Sequence, residues 1–386
     1  MQLIYLDYHA TTPCDPLVVE AMLPYFIAQF GNPSSAHAAG TRTADAVELA
    51  RERVAELVGA QPGGVIFTSG ATEANNLAIL GYTRAAHAIS PRRRIVISAV
   101  EHKAVSNPAK QLAREGFEVI VLPVDAQGTI SLAAAAEAIT TDTLLVSIHA
   151  ANGEVGTIQP IPELAQLAHT VGALMHTDAA QAVGKIPVDM LVWGVDMISI
   201  SAHKIYGPQG IGALIVRSPR RTQFQPLGFG GGQERGWRPG TLNVPGIVGF
   251  GTACARCAEL LATEAPHLAT LRDEFEDTVL ATIPGAYRNG NPAHRLPHNT
   301  SLTFPGLEAD ALLARLPTLA LSTGSACDSG TIEPSATLLA LGMTRDDARA
   351  TIRVGLGRFT TRREIEQAGK ALATQAIMLA QIQSLY

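Results

Sequence analysis

Cysteine is scarce in this chain: four residues in 386. That is too few for a disulfide framework and points to reduced thiols. Positive charge is also short. Lys and Arg number 29 against 34 Asp and Glu, a formal net charge of −5, so the basic footprint of a nucleic-acid binder is missing. No direct nucleic-acid contact is expected, and any nucleic acid involved would be held by a partner. The opening Met1-Gln2-Leu3-Ile4-Tyr5-Leu6-Asp7 has no basic segment ahead of a long apolar stretch, which predicts no signal peptide. No run of about 18 apolar residues predicts a membrane span, so no membrane partner is expected and the expected compartment is the cytoplasm. Internal repeats and low-complexity tracts are absent. What is present is core-forming material. Hydrophobic residues make up 47% and charged residues 16%, a balance that excludes disorder. At 386 residues the chain is expected to form two domains, one of them large.

Short β-branched runs alternate with longer Ala-rich amphipathic runs. The runs predict strands at 65–68, 94–98, 118–122, 143–148, 173–177, 196–201 and 211–216. Helices are predicted between them at 72–88, 104–115, 132–140 and 162–171, with two more ahead of the first strand at 16–29 and 42–58. Buried strands alternating with helices predict an α/β fold: a largely parallel seven-stranded sheet sandwiched by helices. The pattern changes after Val216. Residues 225–246 hold seven glycines and three prolines, which reads as a loop or linker. A long helix follows from about 248 into the 280s. The remainder reads as a mixed α+β unit ending in a helix from about Arg363. The expected large domain is 15–260, with 1–14 and 261–386 forming the smaller α+β domain.

Four stretches carry candidate chemistry. Ser201-Ala202-His203-Lys204 directly follows a predicted strand. A lysine there is most simply a surface charge, but loops at the C-terminal edge of a parallel sheet are where ligands bind. A partly desolvated amine in that place can act as a Schiff-base nucleophile. Thr68-Ser69-Gly70-Ala71-Thr72-Glu73 lies between a strand and a helix. It reads either as a helix cap or as a phosphate seat, where free N–H groups and the helix dipole favour an anion. No Gly-Lys-Ser/Thr follows, so it is not a Walker loop. Asp178, in His176-Thr177-Asp178-Ala179-Ala180-Gln181, is either an N-cap or the carboxylate partner of a cationic ring nitrogen. Pyridoxal phosphate needs such a partner, because a protonated pyridine makes the ring an electron sink. Amine, phosphate seat and carboxylate at three strand ends together describe that cofactor. The fourth stretch is Ser322-Thr323-Gly324-Ser325-Ala326-Cys327-Asp328-Ser329-Gly330. A lone cysteine is usually a small buried hydrophobe, but small polar neighbours suggest an exposed, mobile loop in which a thiol can ionise and attack. Two further motifs read as structural. Cys254 and Cys257 sit in a helical pattern without other metal ligands, so no metal is expected there. The glycine-rich 228–236 reads as a flexible wall of the site.

At these residues the sequence closely resembles the NifS/IscS-type cysteine desulfurases of the class V aminotransferase superfamily, which are fold type I pyridoxal-phosphate enzymes. The resemblance runs almost end to end: Tyr5-Leu6-Asp7-Tyr8 with Ala10-Thr11-Thr12-Pro13, Gly31-Asn32-Pro33-Ser34-Ser35, Thr68 to Glu73, Glu101-His102-Lys103-Ala104-Val105, His203-Lys204-Ile205-Tyr206-Gly207-Pro208, Gly324-Ser325-Ala326-Cys327, Glu333-Pro334-Ser335 and Gly357-Arg358-Phe359-Thr360. It implies that Lys204 holds the cofactor as a Schiff base. Asp178 would pair with the pyridine nitrogen, Gln181 would reach the ring hydroxyl, and His102 would stack on the ring and serve in proton transfer. Ala71, Thr72, Ser201 and His203 would seat the phosphate, with Thr241 reaching it from the second subunit of a homodimer. Arg353 would clamp the substrate carboxylate as a planar two-point donor, with Asn32 also at the substrate.

The implied reaction converts L-cysteine to L-alanine. Lys204 takes the α-proton and Cys327 receives the sulfur as a persulfide, for delivery to an acceptor protein. Cys327 must then approach the cofactor and later reach the acceptor. The family usually has two Asn before the Glu of Ala151-Asn152-Gly153-Glu154; the second is Gly153 here, so its contact with the ring hydroxyl is lost or taken over. A related lyase or transaminase acting on selenocysteine or a sulfinate is the competing activity, and the loop thiol argues against it. A sulfur-delivery subunit that serves mainly to dock partners is a third reading. The housekeeping branch carries a C-terminal docking extension beginning where this chain has Ser384-Leu385-Tyr386. The destination of the sulfur therefore stays open among iron–sulfur assembly, tRNA thiolation and, as in the DndA-like branch, DNA phosphorothioation.

Overall fold

The computed structural model describes residues 3–220, 222–323 and 333–383. A two-residue strand, β1 (Ile4–Tyr5), opens the chain. Seven strands follow: β2 (Val65–Thr68), β3 (Arg94–Ser98), β4 (Glu118–Leu122), β5 (Thr143–Ser147), β6 (Leu174–Asp178), β7 (Met197–Ser201) and β8 (Gly212–Val216). They form one sheet in the order β2-β8-β7-β6-β5-β3-β4. Pairing is parallel except on both sides of β8, which runs antiparallel to β2 and to β7. Strands β2, β5, β7 and β8 are buried along their whole length, as expected when helices cover both faces and connect the strands. The seven expected strands are all present, within a residue of the expected ends.

The helices differ more. Residues 16–29, expected as one helix, form Pro16–Met22 and Pro24–Ile27; Pro24 has no N–H for the first helix to continue with. The first piece is capped by Asp15, whose Oδ1 accepts from the Leu17 N–H at 3.0 Å. The stretch expected at 72–88 widens into a π-turn at Leu77–Gly81, between Ala71–Asn76 and Tyr82–His87. A short helix, Met190–Trp193, capped by Asp189, is too brief for its period to show in the sequence.

The helix Val244–Thr282 begins inside the stretch read as a linker. Asn243 caps it and Pro245 occupies its first turn, where a missing N–H costs nothing. Val244, Ile247, Phe250, Ala253, Cys254 and Cys257 pack into the core on one side of the main sheet. Leu268, Leu271, Phe275 and Val279 pack into a second core instead. By length and apolarity this helix could cross a membrane, but half of its apolar window is buried. The second core lies against a three-stranded antiparallel sheet of β9 (Tyr287–Arg288), β10 (Asn299–Thr303) and, completing it further along, residues Thr351–Gly355. Between these in sequence, β11 (Leu319–Ala320) pairs parallel with β1; Thr351–Gly355 is β12. The final helix is Arg362–Gln383. Register decides where the functional loops meet: Thr68, Gly212 and Ser201 lie in one row across β2, β8 and β7, and Asp178 pairs with Ser199 on β7.

Candidate active site

Strand β7 ends at Ser201 and turns through a 3-10 segment, Ala202–Lys204. The chain then reverses at Tyr206, whose φ of +65° is uncommon for a bulky side chain. The turn is held from outside by the N-terminal segment. The Thr12 N–H and Oγ1 both donate to His203 O at 2.9 Å, and Thr12 Oγ1 accepts from the Tyr206 N–H at 2.8 Å. Lys204 Nζ donates to the carbonyl of Ala10 at 2.9 Å and to that of His9. His203 Nδ1 meets Thr11 Oγ1 at 3.1 Å. Burial first, and then the Lys204 charge, lower the His203 pKa to about 4, so its ring is neutral near pH 7.

Asp178 closes β6 with its carboxylate buried. No helix follows it, so the N-cap reading does not apply. Its Oδ1 accepts from the Ala180 N–H at 3.0 Å and its Oδ2 from Asn75 Nδ2 at 2.6 Å. Asn75 is completely buried, and its Oδ1 has no partner among the described residues. Gln181 reaches back to the N-terminal segment: Nε2 donates to His9 O at 3.1 Å, and Oε1 lies 3.0 Å from His9 Nδ1.

The expected phosphate seat is built from backbone. Gly70, at φ +153°, precedes Ala71 without capping it by a side chain; this backbone angle suits only glycine. Glu73 receives the Ser69 N–H on Oε2 at 2.6 Å and Arg238 Nε on Oε1 at 3.0 Å. A Cβ on Gly212 would fall 2.7 Å from Gly70 Cα and 2.5 Å from Ile200 O, so the strand row leaves no room for one. A Cβ on Gly70 would stand 3.6 Å from Ser201 Oγ, which puts that hydroxyl beside the first turn. Thr72 and His102 line a common cleft of about 400 Å³ with Asn76, Lys103 and Asn107. His102 caps the helix Lys103–Arg114, accepting the Ala104 N–H on Nδ1 at 3.0 Å, so the neutral ring carries its proton on Nε2. The glycine-rich stretch contributes Leu227, Gly228 and Phe229 to a smaller cleft beside Glu73.

Arg353 projects from β12 and is buried. Its Nη2 donates to Asp7 Oδ1 at 2.8 Å and its Nη1 to Gly153 O at 3.4 Å, while Nε is buried without a partner among the described residues. Its backbone pairs with Ser322, the Arg353 N–H donating to Ser322 O at 2.7 Å. Glu154, next to Gly153, accepts from Ser335 Oγ and, at 3.0 Å, from Thr337 Oγ1. Burial pushes its carboxyl above the ordinary range, and these two hydroxyls offset only part of that. Cys327 lies outside the described residues, between Ser322 and Ser335. Asn32 is exposed, its Oδ1 taken by the Ser34 N–H at 3.0 Å, and Thr241 is exposed just ahead of the helix Val244–Thr282. Cys254 and Cys257 are buried in the core, where burial raises both thiol pKa values.

Three participants were not singled out in the sequence. His9 touches both Gln181 and Lys204; Asn75 anchors Asp178; and Glu101 forms a buried pair with His149, 3.5 Å from Glu101 Oε2 to His149 Nδ1. His9 and Asn75 meet partners more than a hundred residues away in the chain, a relation no local pattern reports.

Comparison with known proteins agrees with this architecture. The class-V aminotransferase family model matches residues 4–368. The cysteine desulfurase IscS of Anaeromyxobacter sp. (strain Fw109-5) is 45% identical over 384 residues, covering 99% of this chain and 95% of the relative. Among solved structures, a NifS-like protein superposes with a TM-score of 0.91 at 35% identity, covering 98% of this chain and 100% of that one. DndA from Streptomyces lividans gives a TM-score of 0.77 at 40% identity, covering 91% and 99%. The chain belongs to the class-V aminotransferase family and, within it, to the cysteine desulfurases.

Proposed function

We propose that this cysteine desulfurase works with pyridoxal 5′-phosphate on Lys204, takes L-cysteine to L-alanine, and passes the sulfur to Cys327 as a persulfide for an acceptor protein. The observation that carries the reading is the convergence at one sheet edge of an amine, a buried carboxylate and an uncapped helix start: Lys204 after β7, Asp178 at the end of β6, and Ala71 after Gly70. The residues fit the group. An anionic phosphate suits the free N–H groups at Ala71 and Thr72 with the Ser201 hydroxyl beside them, and a cationic ring nitrogen suits Asp178, whose orientation Asn75 fixes. When bound, the cofactor supplies an electron sink for the carbanion at the substrate α-carbon.

The chain's own residues do the rest. Lys204 Nζ, resting on backbone carbonyls of the N-terminal segment, takes the α-proton. Arg353, held by Asp7 and Gly153 O, orients the substrate carboxylate. The Cys327 thiolate bonds to the substrate sulfur as the Cβ–S bond breaks, and the three-carbon skeleton takes up a proton and leaves as alanine. His102 Nε2–H is the proton donor on the cleft side. Thr241, exposed ahead of its helix, supports a phosphate contact from a second copy in a homodimer, with Asn32 at the substrate entrance. Iron–sulfur assembly, tRNA thiolation and DNA phosphorothioation are the alternative destinations of the sulfur, and the proposed compartment is the cytoplasm. Lys204→Ala tests the anchor. The variant should keep its fold by circular dichroism, lose the covalently held cofactor on borohydride reduction, and stop releasing alanine. A variant that still incorporates reduced cofactor would remove Lys204 from its role.

A further inference from the structure

His9 is almost fully buried between the N-terminal segment, the Gln181 turn and β10. Its hydrogen bonds allow one arrangement. Asn299 Nδ2 lies 3.0 Å from His9 Nε2 and also donates to Glu154 O at 3.2 Å. Flipping the amide would set oxygen against oxygen at Glu154, so Nδ2 faces the ring and Nε2 accepts. The proton is then on Nδ1, which donates to Gln181 Oε1 at 3.0 Å. The Gln181 amide is fixed in turn, because its Nε2 donates to His9 O. Burial first, then the charges of Arg353, Lys204 and Lys185, hold the His9 ring neutral, as this arrangement requires.

Gly153 lies beneath the same amide. A Cβ there would fall 2.9 Å from Gln181 Nε2 and 3.1 Å from both Cδ and Cγ, closer than real Cβ atoms comfortably approach. Gly153 has no positive φ, so the backbone would accept a side chain; the Gln181 carboxamide, held by His9, would have to give way. Glu154 O, Asn299, His9 and Gln181 thus form a continuous hydrogen-bonded path that returns over Gly153.

We propose that His9 is a positioning residue: its ring holds the Gln181 carboxamide in the space above Gly153, so that Gly153, His9 and Gln181 act as one unit presenting an amide to the cofactor ring. The inference rests on the cofactor reading above. It assigns Gln181's second Nε2 hydrogen to the ring hydroxyl, and it makes the absent side chain at 153 a requirement of the arrangement. Because His9 O also accepts from Lys204 Nζ, the same residue couples the amide to the anchoring amine.

The test uses the full-length holoenzyme and His9→Ala, His9→Gln, Gly153→Ala and the His9→Ala/Gly153→Ala double variant. Cofactor affinity is read by reconstitution of the apoenzyme. The pH midpoint of the bound-cofactor absorbance and the KM against kcat split are read separately, and thermal melts check folding. His9→Ala and Gly153→Ala should each weaken cofactor affinity by roughly three- to tenfold, the worth of one net hydrogen bond, and should move the absorbance midpoint in the same direction. The double variant should be no worse than either single one, and His9→Gln, which keeps an N–H donor, should recover most of the loss. Wild-type affinity and midpoint in Gly153→Ala would overturn the proposal even if His9→Ala fails to fold, and so would additive losses in the double variant. A wild type that binds no pyridoxal phosphate would instead overturn the cofactor reading itself.

Discussion

Gly212→Ala is the sharpest test of how the fold builds the proposed phosphate seat. The new Cβ would fall 2.5 Å from Ile200 O, 2.7 Å from Gly70 Cα and 2.8 Å from Gly70 C. All three are backbone atoms, so no flexible side-chain end can give way. Ordinary contact begins near 3.4 Å, so Gly70 must retreat by about 0.7 Å or the β7–β8 pair must open. Overpacking of this kind costs about 1–3 kcal/mol of stability. The larger effect falls on the site, because Gly70 carries Ala71 and Thr72, and Gly212 pairs in register with Thr68 and with Ser201 at the end of β7. A displacement on the order of 1 Å at a reacting centre can lower the rate about a hundredfold. Gly210→Ala is the matched control. Its backbone, at φ +79°, is strained by any side chain, yet its Cβ would meet nothing within 4 Å. It should lose about 1–2 kcal/mol of stability from the left-handed backbone and leave the cofactor affinity alone. Equilibrium dialysis of pyridoxal phosphate and urea denaturation, run on both variants, separate the two effects. The reasoning fails if Gly212→Ala binds the cofactor like the wild type, or if both variants lose affinity in proportion to their loss of stability.

Asn75→Ala removes a donor from the buried Asp178 carboxylate and should cost about 1.5–3 kcal/mol in urea denaturation, the range for a hydrogen bond to a charged group; a loss below about 0.5 kcal/mol would show that Asp178 does not depend on Asn75. The Glu101–His149 pair predicts a pH signature. Burial pushes the Glu101 carboxyl up, but the His149 charge and hydrogen bonds outweigh it and hold the carboxyl below its ordinary 4.5. Burial presses His149 down, but Glu101 outweighs it and holds the imidazole above 6.5. The Glu101 contribution is present above 4.5 and lost as pH falls; the His149 contribution is present below 6.5 and lost as pH rises through its folded value. Stability lost in His149→Gln should therefore be greatest between 4.5 and 6.5 and shrink towards alkaline pH. A loss that stays undiminished as pH rises well above 6.5 would mean the two groups are not an ion pair.

The strands were legible because buried parallel strands are short, continuous β-branched runs, and their strand-end motifs, such as His203-Lys204 and Asp178, are contiguous in sequence. Helix ends were less so. Pro24 splits a run whose apolar period continues through it, and the Pro245-Gly246 pair looks like a linker although proline is well suited to a first helical turn. The capping reading at Ser69 to Glu73 erred in detail, since Glu73 meets the Ser69 backbone N–H and Arg238 while glycine holds the cap position. His9 and Asn75 were not legible at all. Each is a single polar residue whose role exists only once the chain folds the N-terminal segment over β6 and β7, and the space above Gly153 is filled by a side chain from another turn.

The central claim is that sulfur leaves cysteine for Cys327. Release of alanine and sulfide from L-cysteine, with a reductant present, should be measured for the wild type and for Cys327→Ala with the yellow cofactor retained in both. The account predicts both products from the wild type and neither from the variant; undiminished release of both by Cys327→Ala would contradict it and favour a lyase that needs no loop thiol.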